Sequence, residues 1–335
     1  MTVEKTKVLL IGSGGVGTMA SYALEYAGKS EVTSVLRSDY SRVTEMGFSI
    51  DSCDYGQIAS FRPSHIAKSV EESLQYGPFE YILVVTKSVP EVGSMIDVIA
   101  PAVSENTAIV LVQNGIGIEL EAIAKFPENV VLSGVSMIGS SNINSHINHE
   151  TTDALKVGVF ESNEVDKDVT QAVCKKFVDI YSNDKNSCLY DESVKFTRWR
   201  KLVYNACLNP VCAITGVDAG RLEVFGGTDG IIRKAMREVM AVAKSDGVEL
   251  PEDVIEFMIR SDDPVYYAPS MLIDVHKGNL MEIEVISGNP VRIAEKNGVS
   301  VPYLTLLYEL LKVIQKKTME KKGLITVPKV RPVPK

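Results

Sequence analysis

The sequence predicts an α/β protein in which a doubly wound, mostly parallel sheet is followed by an all-helical C-terminal domain. Three observations carry this expectation. Short β-branched runs alternate with helical stretches through the first half, a glycine-rich turn follows the first run, and from about residue 191 helical periodicity takes over. The chain has 335 residues, more than one core usually accommodates, so two domains are expected. They are placed at 1–190 and 191–324, with an extended tail over 325–335.

The elements follow in order. Residues 7–11 form a first strand, which enters the glycine-rich turn and a helix reaching about Gly28. Residues 32–36 form a second strand, and helices are expected around 40–45 and 69–74. The β-branched and aromatic run 81–86 is the next strand, 90–99 is helical, and 107–112 and 130–132 are strands. A later strand at 153–160 has the polar alternation of a sheet edge. Such alternation calls for right-handed βαβ crossovers. Beyond a boundary at 187–191, segments 195–215, 230–246, 251–260, 269–277, 282–297 and 303–317 have helical spacing. The closing stretch ITVPKVRPVPK is basic and proline-containing, which suits an extended tail.

Composition excludes several classes. Hydrophobic residues make up 45% and charged residues 23%, as in an ordinary globular protein. A net charge of −8 argues against nonspecific nucleic-acid binding. No stretch approaches the roughly 20 apolar residues needed to span a bilayer, and the N-terminal apolar run is too short for a signal peptide. Neither nucleic acid nor membrane is therefore expected as a partner. Cys53, Cys174, Cys188, Cys207 and Cys212 are scattered without paired spacing, which fits free thiols and a cytoplasmic location.

The turn reads G-S-G-G-V-G, residues Gly12, Ser13, Gly14, Gly15, Val16 and Gly17. Gly12, Gly14 and Gly17 form G-x-G-x-x-G between an expected strand and an expected helix, the context of a Rossmann-type dinucleotide site. Gly12 permits the tight turn, Gly14 lets backbone approach a pyrophosphate, and Gly17 permits close helix–strand packing. The helix N-terminus then offers free N–H groups to the phosphates. At the end of the second strand, where NAD enzymes usually place a carboxylate, stands Arg37. A guanidinium there can pair with a 2′-phosphate, so NADP (NADPH) is the expected cofactor. Asp39, two residues on, is the residue that could overturn this choice, and a plain solvated charge is the alternative for Arg37.

Two further strand ends carry polar residues where a doubly wound sheet binds ligands. Lys87 follows one, and Gln113-Asn114-Gly115 follows another. Each is either a ligand contact or loop chemistry, since Asn and Gly both tolerate positive φ. In W-R-K-L-V-Y-N-A-C-L-N-P, residues 199–210, Lys201, Asn205 and Asn209 recur at i, i+4 and i+8 on one face of a helix. Their neighbours are apolar, so this row needs polar partners, which a bound substrate would supply; a solvent-facing stripe is the alternative. A lysine desolvated toward neutrality can protonate a carbonyl oxygen as hydride arrives, and its charge stabilises the developing alkoxide.

With these residues in view the chain resembles the ketopantoate reductase (2-dehydropantoate 2-reductase) family over nearly its whole length. The shared pieces, in order, are G-S-G-G-V-G at 12–17, T-K at 86–87, Q-N-G at 113–115, W-R-K-L-x-x-N-x-x-x-N-P at 199–210, and P-S-M-L-I-D at 269–274 followed by Glu282. The resemblance implies NADPH-dependent reduction of a small 2-oxo acid, foremost 2-dehydropantoate to pantoate in pantothenate biosynthesis. By the same resemblance Lys201 is the general acid and Glu282 acts beside it at the substrate hydroxyl. Asn205, Asn209 and Ser270 bind substrate, Lys87 and Asn114 lie near the nicotinamide and reaction centre, and Arg37 takes the 2′-phosphate. Apart from the family, Ser270 reads as a helix-start residue and Glu282 as a solvated charge. A homodimer is also compatible.

One departure concerns the substrate: where the family usually has a further Asn, this chain reads G-V-D-A-G-R at 216–221, and Asp218 in that place would repel an anionic substrate, which bears on ketopantoate itself more than on 2-oxo acid reduction. No metal site is expected, because His146, His149 and Glu150 lack the helical HExxH arrangement. Two rival readings are a 3-hydroxyacid-type dehydrogenase and a non-catalytic NADP-binding redox sensor.

Overall fold

The computed structural model describes residues 4–160 and 164–332, so the last three positions of the expected tail lie outside the described residues. The chain divides into two compact units. The first holds the residues up to Lys87 together with Gly93–Gln113 and Ile118–Val194. The second holds Ser88–Val92, Asn114–Gly117 and everything from Lys195.

The strands of the first unit are β1 (Thr6–Ile11), β2 (Ser30–Val35), β3 (Phe48–Ser52), β4 (Gly56–Phe61), β5 (His65–Ala67), β6 (Tyr81–Val84), β7 (Ala108–Leu111), β8 (Val131–Ser136), β9 (Gly139–Ile143), β10 (His146–Thr151), β11 (Ala154–Val159) and β12 (Ser187–Tyr190). Its helices are α1 (Gly15–Tyr26), α2 (Tyr40–Met46), α3 (Val70–Ser73), α4 (Met95–Ile99), α5 (Leu120–Lys125) and α6 (Lys167–Tyr181). The main sheet runs β12-β11-β8-β7-β6-β1-β2-β5. Its neighbours pair in parallel except β8 with β11. Every residue of β6 and β7 is buried, as expected where both faces of a parallel sheet are covered. The chain leaves β1 for β2 on one side and returns to β6 on the other, so the order reverses at β1, and ligands of such sheets bind at that reversal.

Sequence periodicity does not reveal a second sheet, ordered β4-β3-β10-β9. β4, β9 and β10 are polar (GQIASF, GSSNI, HINHET) and exposed or half-buried over most of their length, so they lack the apolar alternation that announces a strand. Asn144 and Ser145 turn the β9–β10 hairpin, both with positive φ. Residues 187–190, read as a domain boundary, form edge strand β12 instead. The helix expected over 90–99 is interrupted: a 3₁₀ turn spans Pro90–Val92, Gly93 takes φ +122°, and α4 begins only at Met95.

The second unit is helical: α7 (Val194–Asn205, whose first residue closes the first unit), α8 (Leu208–Thr215), α9 (Ala219–Val224), α10 (Arg233–Ser245), α11 (Val254–Arg260), α12 (Ser270–Lys277), α13 (Asn289–Asn297) and α14 (Pro302–Lys321). Trp199, Val203, Met236, Val239 and Leu311 are buried in its core. Two corrections concern helix continuity. The run 195–215 is two helices, because Pro210 cannot donate to the carbonyl of residue 206 and its ring crowds that carbonyl. The run 282–297 starts with a π-helical turn, Glu284–Gly288, before α13. Residues 325–332 form no regular element and are exposed, apart from the half-buried Ile325.

Candidate active site

Each unit presents one cluster of the residues singled out above. In the first, Gly12 follows β1 with φ +113°, and a Cβ on it would lie 2.8 Å from the Thr86 nitrogen. A Cβ on Gly17 would fall 1.7 Å from the Gly12 carbonyl oxygen, and one on Gly15 would fall 2.5 Å from the Ser140 backbone of β9. These three glycines are imposed by the protein's own packing. Gly14 is different: a Cβ there would meet no protein atom within 4 Å. Gly14 also caps α1 without a side-chain acceptor, and no acidic residue stands in the first turn, which leaves helix N–H groups available to an anion. Ser13 and Val16 complete the turn, and Thr18 donates to the Ser13 carbonyl at 3.3 Å.

Arg37 is exposed just beyond β2. Asp39 is more constrained. The Asn142 side-chain amide, on β9, donates both to the Asp39 carboxylate at 3.0 Å and to the Ser13 carbonyl at 2.8 Å. Asp39 is thereby held toward the glycine turn, a tie that sequence separation hides. Lys87, also exposed, closes the first segment of this unit, and Gln113, whose amide donates to Thr86 Oγ1 at 3.4 Å, closes the second.

The cluster of the second unit is a hydrogen-bonded chain. Lys201 Nζ donates to Asn114 Oδ1 at 2.9 Å, and Asn114 Nδ2 donates to Glu282 Oε2 at 3.3 Å. Glu282 Oε1 in turn accepts the Ser88 backbone N–H at 2.9 Å. Glu282 is buried, 6% exposed, so it is not the solvated charge its sequence context allowed. Gln315 of α14 fixes the adjoining backbone by bonding both the N–H and the C=O of Met281 at 3.0 Å. Burial depresses the Lys201 ammonium, the Arg198 charge lowers it further, and the Glu282 carboxylate opposes both; the net value is about 8.

The segment carrying Asn114 is pinned. Arg198 donates to the Gly115 carbonyl at 3.1 Å, Ile116 donates to the Val285 carbonyl at 3.0 Å, and Asn289 donates to the Ile116 carbonyl at 2.6 Å. Gly115 takes φ +95°, and a Cβ there would lie 2.5 Å from the Val285 oxygen. Arg198 is absent from the residues that the sequence motifs single out. A signal for it exists, since it lies three residues before Lys201 on the same helix face.

Asn205 and Asn209 are both buried, and although the helix breaks between them, Asn209 Nδ2 stays 3.4 Å from Asn205 Oδ1 and 3.5 Å from Ser270 Oγ. Ser270 is exposed and is the first residue of α12, so it opens a helix as well as facing Asn209. Asp218 serves the fold. Its carboxylate caps α9 by accepting the Arg221 N–H at 2.8 Å and pairs with the Arg221 guanidinium. His146 and Glu150 point to the opposite side of β10 from the buried His149, so the three do not converge.

A Rossmann-type unit joined to a helical unit that carries a lysine–amide–carboxylate chain defines a class of two-domain oxidoreductases. The chain belongs to the ketopantoate reductase family: the family models "Ketopantoate reductase PanE/ApbA" and "Ketopantoate reductase PanE/ApbA C terminal" match residues 8–162 and 193–315. It is similar to the uncharacterized protein YDL144C of Saccharomyces cerevisiae, 40% identical over 346 residues and 96% of each chain. The crystal structure of 2-dehydropantoate 2-reductase from Methylococcus capsulatus is 32% identical and superposes with a TM-score of 0.80 over 93% of this chain and 97% of that one. A D-mandelate dehydrogenase, solved as a ternary structure with NADH and anilino(oxo)acetate, shares the fold at 22% identity, with a TM-score of 0.81 over 93% and 99%.

Proposed function

We propose that the protein reduces a small 2-oxo acid with NADPH, 2-dehydropantoate to pantoate being the foremost reaction, as a step of pantothenate biosynthesis in the cytoplasm. The observation that carries this reading is Lys201, an amine held near neutrality and hydrogen-bonded through Asn114 to buried Glu282. Bound NADPH would supply the hydride, and the open Gly14 backbone at the α1 N-terminus fits its pyrophosphate. Lys201 keeps a proton at Nζ for the substrate oxygen and stabilises the charge that develops there. Asn114 holds Nζ in place, and Glu282 compensates its charge and accepts from the substrate hydroxyl. Asn205, Asn209 and Ser270 offer donors for the carboxylate and the remaining polar groups, while Arg37 and Lys87 serve the cofactor's phosphate and ribose. Free cysteines, four of them buried, suit a reducing compartment.

A second reading is favoured by Asp39. Its carboxylate, held at the glycine turn, suits ribose hydroxyls and hence NADH, the cofactor named for the D-mandelate dehydrogenase. Turnover on a panel of 2-oxo acids, with each cofactor in turn, separates the two. Faster reduction of 2-dehydropantoate with NADPH supports the first. Preference for NADH with a bulkier oxo acid supports the second, and cofactor binding without turnover on any acid removes both.

A further inference from the structure

The second sheet of the first unit gathers a group of side chains that neither the nucleotide turn nor the lysine chain uses. Cys53 and Asp54 lie in the β3–β4 turn, and His149 lies on β10, whose backbone pairs with β3. We propose that Cys53 Sγ, the Asp54 carboxylate and His149 Nε2 bind a divalent transition cation of the zinc type, fastening the β3–β4 turn to β10.

The distances carry the proposal. Nε2 of His149 lies 3.7 Å from Asp54 Oδ2 and 3.9 Å from Cys53 Sγ, Sγ lies 3.6 Å from the other carboxylate oxygen, Oδ1, and one ligand atom from each of the three residues lies within 4.8 Å of the other two. The nitrogen–oxygen separation is too long for an ordinary hydrogen bond, which ends near 3.2 Å. It is close to the spacing of two ligands on one tetrahedral ion, about 3.3–3.6 Å for metal–ligand bonds of roughly 2.0–2.3 Å. His149 is fully buried, its side chain 0% exposed, with Nε2 turned toward the thiol and the carboxylate.

The surroundings fix the three groups as outer-shell partners do. Ser52 Oγ lies 2.7 Å from His149 Nδ1, which fixes the ring so that Nε2 faces Cys53 and Asp54. Ser52 Oγ also accepts the Tyr55 N–H at 3.0 Å and the Asp54 N–H at 3.2 Å, which sets the turn. The Asp153 N–H donates to Asp54 Oδ2 at 3.0 Å, and the Asp153 carboxyl is occupied by the Tyr181 hydroxyl at 2.8 Å. Thiolate, carboxylate and imidazole together neutralise a divalent ion, and one sulfur among them favours zinc-type ions over magnesium or calcium. Cys53 is exposed, which provides an entry path and room for a water as fourth ligand. Metal binding deprotonates the thiol, so uptake releases a proton. Because the donors lie about a hundred positions apart in sequence, no local spacing announces them.

The test uses full-length, tag-free protein stripped with a chelator and titrated calorimetrically with zinc chloride, and with cobalt chloride followed by absorption. The wild type should take up one ion per chain, with a thiolate-to-cobalt charge-transfer band. Cys53→Ser, at an exposed position, should lose that band and bind zinc at least about tenfold more weakly, since loss of an outer-shell partner alone costs about 10–100-fold. His149→Gln, with its circular dichroism checked, should weaken binding likewise. A wild type that binds no zinc, or a Cys53→Ser protein that binds it as the wild type does, would overturn the proposal and leave His149 as a core residue bonded to Ser52.

Discussion

In the proposed reaction Lys201 is the residue on which the chemistry turns. Lys201→Ala should lower kcat by more than about 100-fold, the lower range for a lost general acid, with NADPH affinity nearly unchanged. Steady-state kinetics beside cofactor titration reads both, and wild-type turnover in the variant would remove the assigned role. The sign of the pH dependence follows from the same amine, whose value is held down to about 8. Reduction needs the charged form, so kcat/KM for the oxo acid should fall as pH rises through about 8. Oxidation of the hydroxy acid needs the neutral amine and should rise over the same window. A reduction profile flat across that window contradicts the assignment. Lys201 and Asn205 can be read from helical spacing, and Asn209 stays beside Asn205 although a helix break lies between them, whereas burial of Glu282 and the tie from Asn114 to Lys201 cannot be read so. Those depend on segments 87 and 168 residues apart brought together by folding.

At the scale of elements, the glycine turn separates what packing demands from what a ligand demands. Gly17→Ala would drive a methyl into the Gly12 carbonyl and should destabilise the fold by about 1–3 kcal/mol or more, read as a loss of Tm. Gly14→Ala meets open space; it should leave Tm nearly unchanged while weakening NADPH binding by about tenfold, or ~1.4 kcal/mol. Equal losses of Tm in both variants would mean that Gly14 serves packing alone. The parallel strands are legible because burial on both faces makes them continuous apolar runs, as in YILV of β6 and AIVL of β7. The β4-β3-β10-β9 sheet is not, because β4, β9 and β10 carry Ser, Asn and His where a pattern reader looks for Val and Ile. Helical spacing likewise runs through 195–215 without a sign of the break except Pro210, whose effect becomes plain once the α7–α8 joint is seen.

At the scale of the whole molecule, cofactor binding should couple to stability by mass action. NADPH at about 100 times its Kd should add about 2.7 kcal/mol. That corresponds to several degrees of Tm for a protein of this size, with NADH at the same concentration adding less. Arg37→Ala should erase the difference between the two cofactors, whereas an unchanged difference would place the discrimination on another residue. The glycine turn and the row from Lys201 to Asn209 are legible in the sequence as a dinucleotide-type turn and a polar row among apolar neighbours, and with the other motifs they carry the family resemblance. Cofactor choice is not marked there, because Arg37 and Asp39 stand two residues apart and only the fold shows Asn142 holding Asp39 at the turn.

The proposed reaction passes hydride from reduced nicotinamide to the oxo carbon of a small 2-oxo acid. The decisive experiment uses NADPH deuterated at the transferring position, 2-dehydropantoate as acceptor, and mass spectrometry of the product. The expected product is pantoate carrying one deuterium at C2, formed by the wild type and lost with Lys201→Ala. Unlabelled product, or none from 2-dehydropantoate or any related 2-oxo acid by protein that binds NADPH, would refute hydride transfer to such an acid.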